Sequence, residues 1–334
     1  MVSVIFTVLN EARTISVLLD SLAAQTRQPG EVVVCDGGST DETLALIHAE
    51  TNRRRMKVRL LLEPGANIAR GRNLAIAAAY GDIIACCDAG VRLEPDWLSQ
   101  ITAPFREDAP PVPGVFAPPP APNAVAGFFV AEAHSTFETA LSATVLPVLS
   151  EIRPDTFLPS SRSVAFRKTA WQAADGYPEW LDYCEDLLFD FAVRETSGGF
   201  VFAPRAIAHF RPRSTLRAFF KQYYLYARGD GKANLWLKRH VIRYLTYLVA
   251  VPALVAGVVL VSPLLLLALA IGAGIYLRQP YHRLPQVPAF ESMTLGQKLH
   301  AAALIPLIRV TGDIAKMLGY PVGLLWRARQ ARRG

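Results

Sequence analysis

The stretch VVVCDGGSTDET, residues 32–43, decides how the first part of the chain is read. An apolar, β-type run stops at Asp36, Gly37, Gly38, Ser39, Thr40 and Asp41, residues that can hold a ligand but cannot fill a core. A carboxylate at a strand end accepts hydrogen bonds, and the glycines behind it let a ligand approach the backbone closely. The same letters also describe an ordinary Asp-Gly-Gly turn, with Ser39 or Thr40 as N-cap of the next helix. The neighbours have to decide.

Upstream, VSVIFTVLN reads as a buried strand, followed by a helix from about Thr14 to Ala24 with Ile15, Leu18, Leu19 and Leu22 on one face. Downstream come a helix over STDETLALIHAE, a strand over VRLLLEP, a helix over NIARGRNLAIAAAY and a strand in GDIIACCDAG. Strand and helix thus alternate as in a doubly wound α/β domain with a mostly parallel sheet. Ligands of such sheets sit at the carboxyl ends of the strands, which predicts that Asn10, Asp36 and Asp88 converge. Asp88 follows IIACC and precedes Ala89 and Gly90, and a carboxylate there is costly unless paired or bound to a cation. Residues 109–122, APPVPGVFAPPPAP, read as a loop or an extended edge crossing. LPSSRSVAFRKTAW is a turn, a short strand and a helix start; GYPEWLDYCEDLLFDFAVRETSG is a loop entering a helix; FVFAPRAIAHF is a further strand. Glu185 and Asp186 fall early in that helix, where acidic residues are favoured even without a catalytic role.

The remainder is of another kind. The 334-residue chain is 51% hydrophobic with a formal charge of +7, yet no charged residue occurs from Tyr244 to Leu277. The basic residues flanking that block and the C-terminal RARQARRG fit an anionic membrane surface better than a nucleic acid. The four cysteines form neither a C-x-x-C motif nor a zinc spacing, which suits a reducing, cytosolic setting, and the N-terminus lacks the basic start of a signal peptide. LRAFFKQYYLYARGDGKA, residues 216–233, interleaves aromatic and basic side chains as a helix at a bilayer surface does. As one helix the apolar block would run roughly 50 Å, against about 30 Å of hydrocarbon. Ser262 and Pro263 break it, so a hairpin of Val241 to Val261 and Pro263 to Leu277 is expected. Lys238, Arg239, Arg243, Arg278 and Arg283 would then all stay cytoplasmic; a single tilted span with an interfacial piece is the alternative. AAALIPLIRVTGDIAKMLGYPVGLLW, with Arg309, Asp313 and Lys316, reads as one or two amphipathic interfacial helices. The expected division is a catalytic domain over 1–232, a membrane hairpin or span over 233–283, and interfacial helices with a basic tail over 284–334.

VSVIFTVLNE, VVVCDGGSTDET, GRNLAIAAAYGDIIACCDAG, the GYPEW and ED segment, and KQYYLYARGDG together resemble the family 2 inverting glycosyltransferases of the GT-A fold, with its Rossmann-like mixed sheet. The resemblance implies that Asp36 contacts the base of a nucleotide-sugar, with Thr7, Leu9, Asn10 and Glu11 lining the same pocket. It implies that Asp88, Ala89 and Gly90 occupy the Asp-x-Asp motif, Asp88 holding Mg²⁺ or Mn²⁺ on the diphosphate. Gly90 stands where that motif has its second carboxylate, and His209 is the candidate replacement ligand. Glu185 and Asp186 match the family's Glu-Asp pair, with Asp186 the general base. Gln222, Tyr226 and Arg228 occupy the place of its Gln-x-x-Arg-Trp element, but Leu225 and Tyr226 replace Arg and Trp, which argues against a processive synthase. Arg228 is then expected to serve the diphosphate, with Arg70 and Arg72 also approaching the donor phosphates. The function expected is transfer of one sugar from a nucleotide-sugar to a hydroxyl or phosphate acceptor, a lipid or a glycan, by an enzyme at the cell membrane with a cytoplasmic catalytic domain. Two other classes stay open: a membrane-bound nucleotidyltransferase, although NEARTIS lacks the glycines of its phosphate loop, and an inactive nucleotide-sugar-binding scaffold, kept open by Gly90.

Overall fold

A computed structural model describes residues 1–106 and 121–332. Most of the proline-rich segment read as a loop or edge crossing lies outside the described residues. In chain order the elements are β1 (Val2–Val8), α1 (Ile15–Ala23), β2 (Glu31–Asp36), α2 (Thr43–Arg54), β3 (Val58–Leu62), α3 (Ile68–Ala78), β4 (Ile83–Cys86), β5 (Val91–Leu93), α4 (Trp97–Thr102), β6 (Ala124–Ala131) and α5 (Thr136–Val145). They continue with β7 (Val164–Arg167), α6 (Lys168–Ala173), α7 (Glu185–Ser197), β8 (Val201–Phe210), α8 (Leu216–Ala233), α9 (Leu237–Leu245), α10 (Val251–Leu260), α11 (Leu265–Arg283), α12 (Pro288–Glu291) and α13 (Leu295–Gln330). Contacts divide the chain into two compact units, Met1–Val130 with Leu149–Phe210, and Ala131–Val148 with Arg211–Gly334. Residues 131–148 and 211–232, expected in the catalytic domain, thus fall in the second unit.

The first unit is built on an eight-stranded sheet in the order β3-β2-β1-β4-β7-β6-β8-β5. Its first four strands are parallel. β7 pairs antiparallel with β4 and β6, and β8 with β5, so the mostly parallel expectation holds for half of the sheet. The short β5 and the β6 that follows the proline tract give little periodicity in sequence, which is why neither was expected. The parallel strands are covered on both faces, which explains their unbroken apolar runs. Val4, Phe6, Val8, Val32 and Val34 join Ile15, Leu18, Leu19 and Leu22 in one core. Ile5, Val33 and Cys35 alternate to the other face and pack with Ala69, Ala75 and Ile76 of α3. A Cβ on Gly71 would lie 2.8 Å from Thr7 Cγ2, so only glycine lets α3 lie this close to β1.

In the second unit, α8 and α13 lie backbone to backbone. A Cβ on Gly319 would collide with the carbonyl oxygen of Tyr224, and one on Gly323 with that of Arg228. The interleaved aromatics of α8 therefore serve first in helix packing: Phe219 is buried with Ile305 and Ile308 of α13. The one or two interfacial helices expected near the C-terminus are a single helix that runs through Pro306 and Pro321 and starts with a Thr294–Gln297 capping box. Leu237–Leu260 is helical throughout, with a wider turn at Thr246–Ala250, and is apolar and long enough to cross a membrane. The break falls at the expected Ser262 and Pro263. Tyr247 and Tyr276, almost equidistant from Ser262, share a hydroxyl–hydroxyl hydrogen bond of 2.8 Å, so the two arms form an antiparallel hairpin. Its foot is fastened to α13 by Asp313, which accepts from Arg243 Nε at 2.7 Å and from the Tyr276 hydroxyl at 2.5 Å, while the Tyr247 hydroxyl donates to Tyr276 Oη. Toward the tip, Val259, Leu260 and Val261 are about 80% exposed.

Candidate active site

β2, β1 and β4 lie side by side and parallel, so the loops at their carboxyl ends meet at one edge of the sheet. Asn10 takes a left-handed conformation with φ of 57°, which asparagine tolerates because its side chain can bond locally. Its Oδ1 accepts from Thr40 N at 2.9 Å, and its own N donates to Ser39 Oγ at 2.9 Å. Glu11 N donates to Thr43 Oγ1 at 2.8 Å. Ser39 and Thr40, expected as helix caps, instead tie the β2 loop to the β1 loop, and Thr43 N is served by Asp41 Oδ1 at 3.0 Å. Asp36 is buried, and its Oδ2 accepts from Gly38 N and Ser39 N, both at 2.9 Å. Asp36 thus shapes the turn by which it was also explicable without a ligand, while a carboxylate retains lone pairs for a further donor. Leu9 is 54% exposed beside this loop, and Thr7 is fixed under α3.

The centre of the site is Arg72. Its guanidinium is 3% exposed, with Nη2 donating to Asp88 Oδ1 at 2.9 Å and Nη1 donating to Glu185 Oε1 at 2.7 Å. The side chain was expected at the donor phosphates; here both ends of its fork hold carboxylates. Arg70, given the same expectation, is exposed and paired with Glu63 at 2.6 Å and Glu179 at 3.4 Å. α3 also carries the loop leading to Glu185: Asn73 Nδ2 donates to Tyr177 O at 2.8 Å, and Asn67 Nδ2 to Glu179 O at 2.6 Å. Arg162 was not singled out in the sequence. β7 runs antiparallel to β4 with Val164 opposite Cys86, and continuing that register by two residues sets Arg162 opposite Asp88. Its Nε lies 3.7 Å from Asp88 Oδ2, and its guanidinium sits 4.5 Å above the Phe210 ring.

The acid pair opens α7 from an unusual turn. Cys184 immediately before it has φ of 67°, a left-handed conformation that costs a non-glycine residue about 1–2 kcal/mol and marks a constrained site. Burial pushes Glu185 up to about 7, against the pull of Arg72 and with Asp186 raising it further. Burial also raises Asp186, although Arg72 and the Leu187 amide, which donates to Asp186 Oδ1 at 2.9 Å, oppose it. Asp190, one turn further on, is buried and raised well above the carboxylate range by burial and by Asp186; its Oδ2 has no hydrogen-bond partner. Sequence gave no sign of Asp190 beyond its spacing of four from Asp186. A carboxylate that resists ionisation is a stronger proton acceptor once ionised, and Asp186, unlike Asp190, is only partly buried.

The fit of a divalent cation is narrow. Among the described residues no three His, Cys, Asp or Glu side chains gather to hold a metal. His209, expected as a ligand, has Nε2 2.5 Å from Glu94 Oε1, beside the β5–β8 pair, and is engaged in a hydrogen bond there. A Cβ at Gly90 would meet nothing within 4 Å, so the space at that position is open. Mg²⁺ usually takes only one or two carboxylates together with substrate phosphates, so Asp88 suits a cation that arrives on the diphosphate. Gln222, Tyr226 and Arg228 lie on α8 of the second unit, where Gln222 Nε2 donates to Tyr226 Oη at 2.7 Å and the Arg228 backbone packs against α13.

This arrangement is a fold of GT-A type. Residues 3–123 match the profile described as Glycosyl transferase family 2. Over 108 residues it is 33% identical to a chondroitin synthase of Pasteurella multocida, which covers 32% of this chain and 11% of that protein. Over 112 residues it is 31% identical to validoxylamine A glucosyltransferase of Streptomyces hygroscopicus subsp. jinggangensis, covering 33% of this chain and 26% of the relative. The chain thus spans about a quarter or less of the length of these two curated relatives. A mannosyltransferase of Pyrobaculum calidifontis, solved with GDP-Man and Mn²⁺, shares the fold with a TM-score of 0.58 at 17% identity, over 95% of this chain and 86% of that one.

Proposed function

We propose that the protein is an inverting glycosyltransferase that moves a sugar from a nucleotide-sugar to a hydroxyl or phosphate acceptor, a lipid or a glycan, at the cytoplasmic face of a membrane. The observation that carries this reading is the single buried Arg72 joining Asp88 to Glu185, beside a partly accessible Asp186 of raised proton affinity. Asp36 and the clamped Asn10–Glu11 loop bind the nucleoside, Asp36 accepting from the base. When bound with the donor, Mg²⁺ or Mn²⁺ would be held by Asp88 and would neutralise charge on the leaving diphosphate. Asp186 takes the proton of the acceptor hydroxyl as its oxygen bonds to the anomeric carbon; the bond to the diphosphate breaks, and the configuration inverts. Glu185, held by Arg72, fixes the turn that presents Asp186. The exposed apolar hairpin supports attachment to a membrane.

The test is Asp186→Asn in the full chain. Donor screening with UDP-, GDP- and dTDP-sugars comes first; then donor affinity by calorimetry and single-turnover transfer are compared. The expected outcome is unchanged donor affinity with transfer slower by ~100-fold or more, since asparagine cannot take the proton. Transfer within a few-fold of wild type would remove Asp186 as the base.

A further inference from the structure

The second unit holds a cavity of about 180 Å³ lined by residues that have no part in the transfer described above. Arg283 and Gln279 enter it from α11, Thr144 from α5, and Arg309, Asp313 and Lys316 from α13. Three cations face one carboxylate, and that carboxylate already accepts from Arg243 and Tyr276. Arg309 Nε is buried with no hydrogen-bond partner, although its guanidinium lies 5.0 Å over the Tyr276 ring. Lys316 Nζ sits 4.8 Å over the Tyr223 ring. Burial, with Arg243 and Arg309 nearby, pulls Lys316 down to about 8. Buried N–H groups are satisfied almost everywhere in folded proteins, and like charges gathered around a void repel one another. Cationic side chains and an unmet donor around a polar void suit an anion with several acceptor oxygens.

The source of that anion is suggested by what adjoins the cavity. Tyr276 and Arg283 belong to the foot of the hairpin, whose arms expose Ile271 and Ile275 at 64% and 73%. An amphiphile with its charged end in the cavity could lay its chains along those arms. The geometry points to this cavity as a binding site for the phosphoryl headgroup of an anionic membrane lipid. The inference rests on the membrane reading above, and the two are separable by experiment.

The full chain in detergent is titrated by calorimetry with dihexanoyl phosphatidic acid, dihexanoyl phosphatidylcholine and inorganic phosphate. The phosphatidic acid binds most tightly, and Lys316→Met and Arg283→Gln each weaken it about tenfold or more, the effect of losing one charge-assisted contact. Asp313 keeps its bond from Arg243 in Lys316→Met, so that variant is expected to stay folded, and thermal unfolding of each variant separates weakened binding from a folding defect. Inorganic phosphate binding as tightly as phosphatidic acid would leave an anion site and overturn the lipid assignment. Equal binding of the two lipids, or wild-type binding by both variants, would overturn the site. Flotation with pure phosphatidylcholine vesicles reports hairpin insertion separately, and its failure would reject the membrane reading whatever the calorimetry shows.

Discussion

Replacing Arg72 with Met should destabilise the first unit more than any other single change near the site. The guanidinium is 3% exposed and supplies charge-assisted hydrogen bonds of 2.9 and 2.7 Å to Asp88 and Glu185. Methionine keeps much of the volume, so the loss is electrostatic rather than a cavity. Breaking a buried pair by removing one partner costs about 3–5 kcal/mol, since the remaining charge is stranded. Here part of that loss is relieved by protonation, because Glu185 already titrates at about 7 and rises further without Arg72. A net loss of about 3 kcal/mol lowers the thermal midpoint of a domain of this size by ~6–12 °C. The assay is thermal unfolding of the purified full chain, followed through a double-mutant cycle with Glu185→Gln. Arg72→Met/Glu185→Gln should recover part of the loss, because the stranded carboxylate is gone. A fall under about 2 °C for Arg72→Met, or strictly additive effects in the cycle, would refute the bridging role.

Glu185 is raised on folding from 4.5 to about 7, so the native state holds the proton that the unfolded chain has released, and stability falls as pH rises through that window. Glu185→Gln should flatten this fall, which is at most about 3 kcal/mol, in unfolding measured from pH 4.5 to 7.5; an unchanged pH profile would reject the assignment. Asp88→Ala deletes the carboxylate proposed to hold the cation and should lower transfer by ~100-fold or more; activity within twofold would exclude Asp88 from donor binding. Reporters fused after Arg243 and after Arg283 should appear on the same side of the membrane, and opposite sides would replace the hairpin with one span.

The sequence displayed what repeats and hid what crosses. Asp36, Asp88 and the parallel strands before them were readable because each apolar run ends in a short polar loop at the same end of the sheet. The antiparallel half was not readable, since β5 has three residues and the partner of β7 lies far away in the chain. For the same reason Arg162 passed unnoticed: only the β4–β7 register carries it to Asp88. Arg72 was noticed without its partners, because helical spacing shows which face it lies on and not that two carboxylates from other elements close on it. The glycines of α13 have meaning only beside the carbonyls of α8, and an isolated amphipathic pattern reads equally well as a membrane surface helix.

The fork of Arg72 makes the two halves of the site thermodynamically reciprocal. Anything that draws Asp88 toward itself leaves the guanidinium more fully to Glu185, which stabilises the ionised form and lowers its proton affinity. Donor loading near neutral pH should then expel a fraction of a proton, and by linkage a lower pH should weaken donor binding. One buried side chain would thus let occupancy of the nucleotide pocket set the charge of the acid pair before any acceptor arrives.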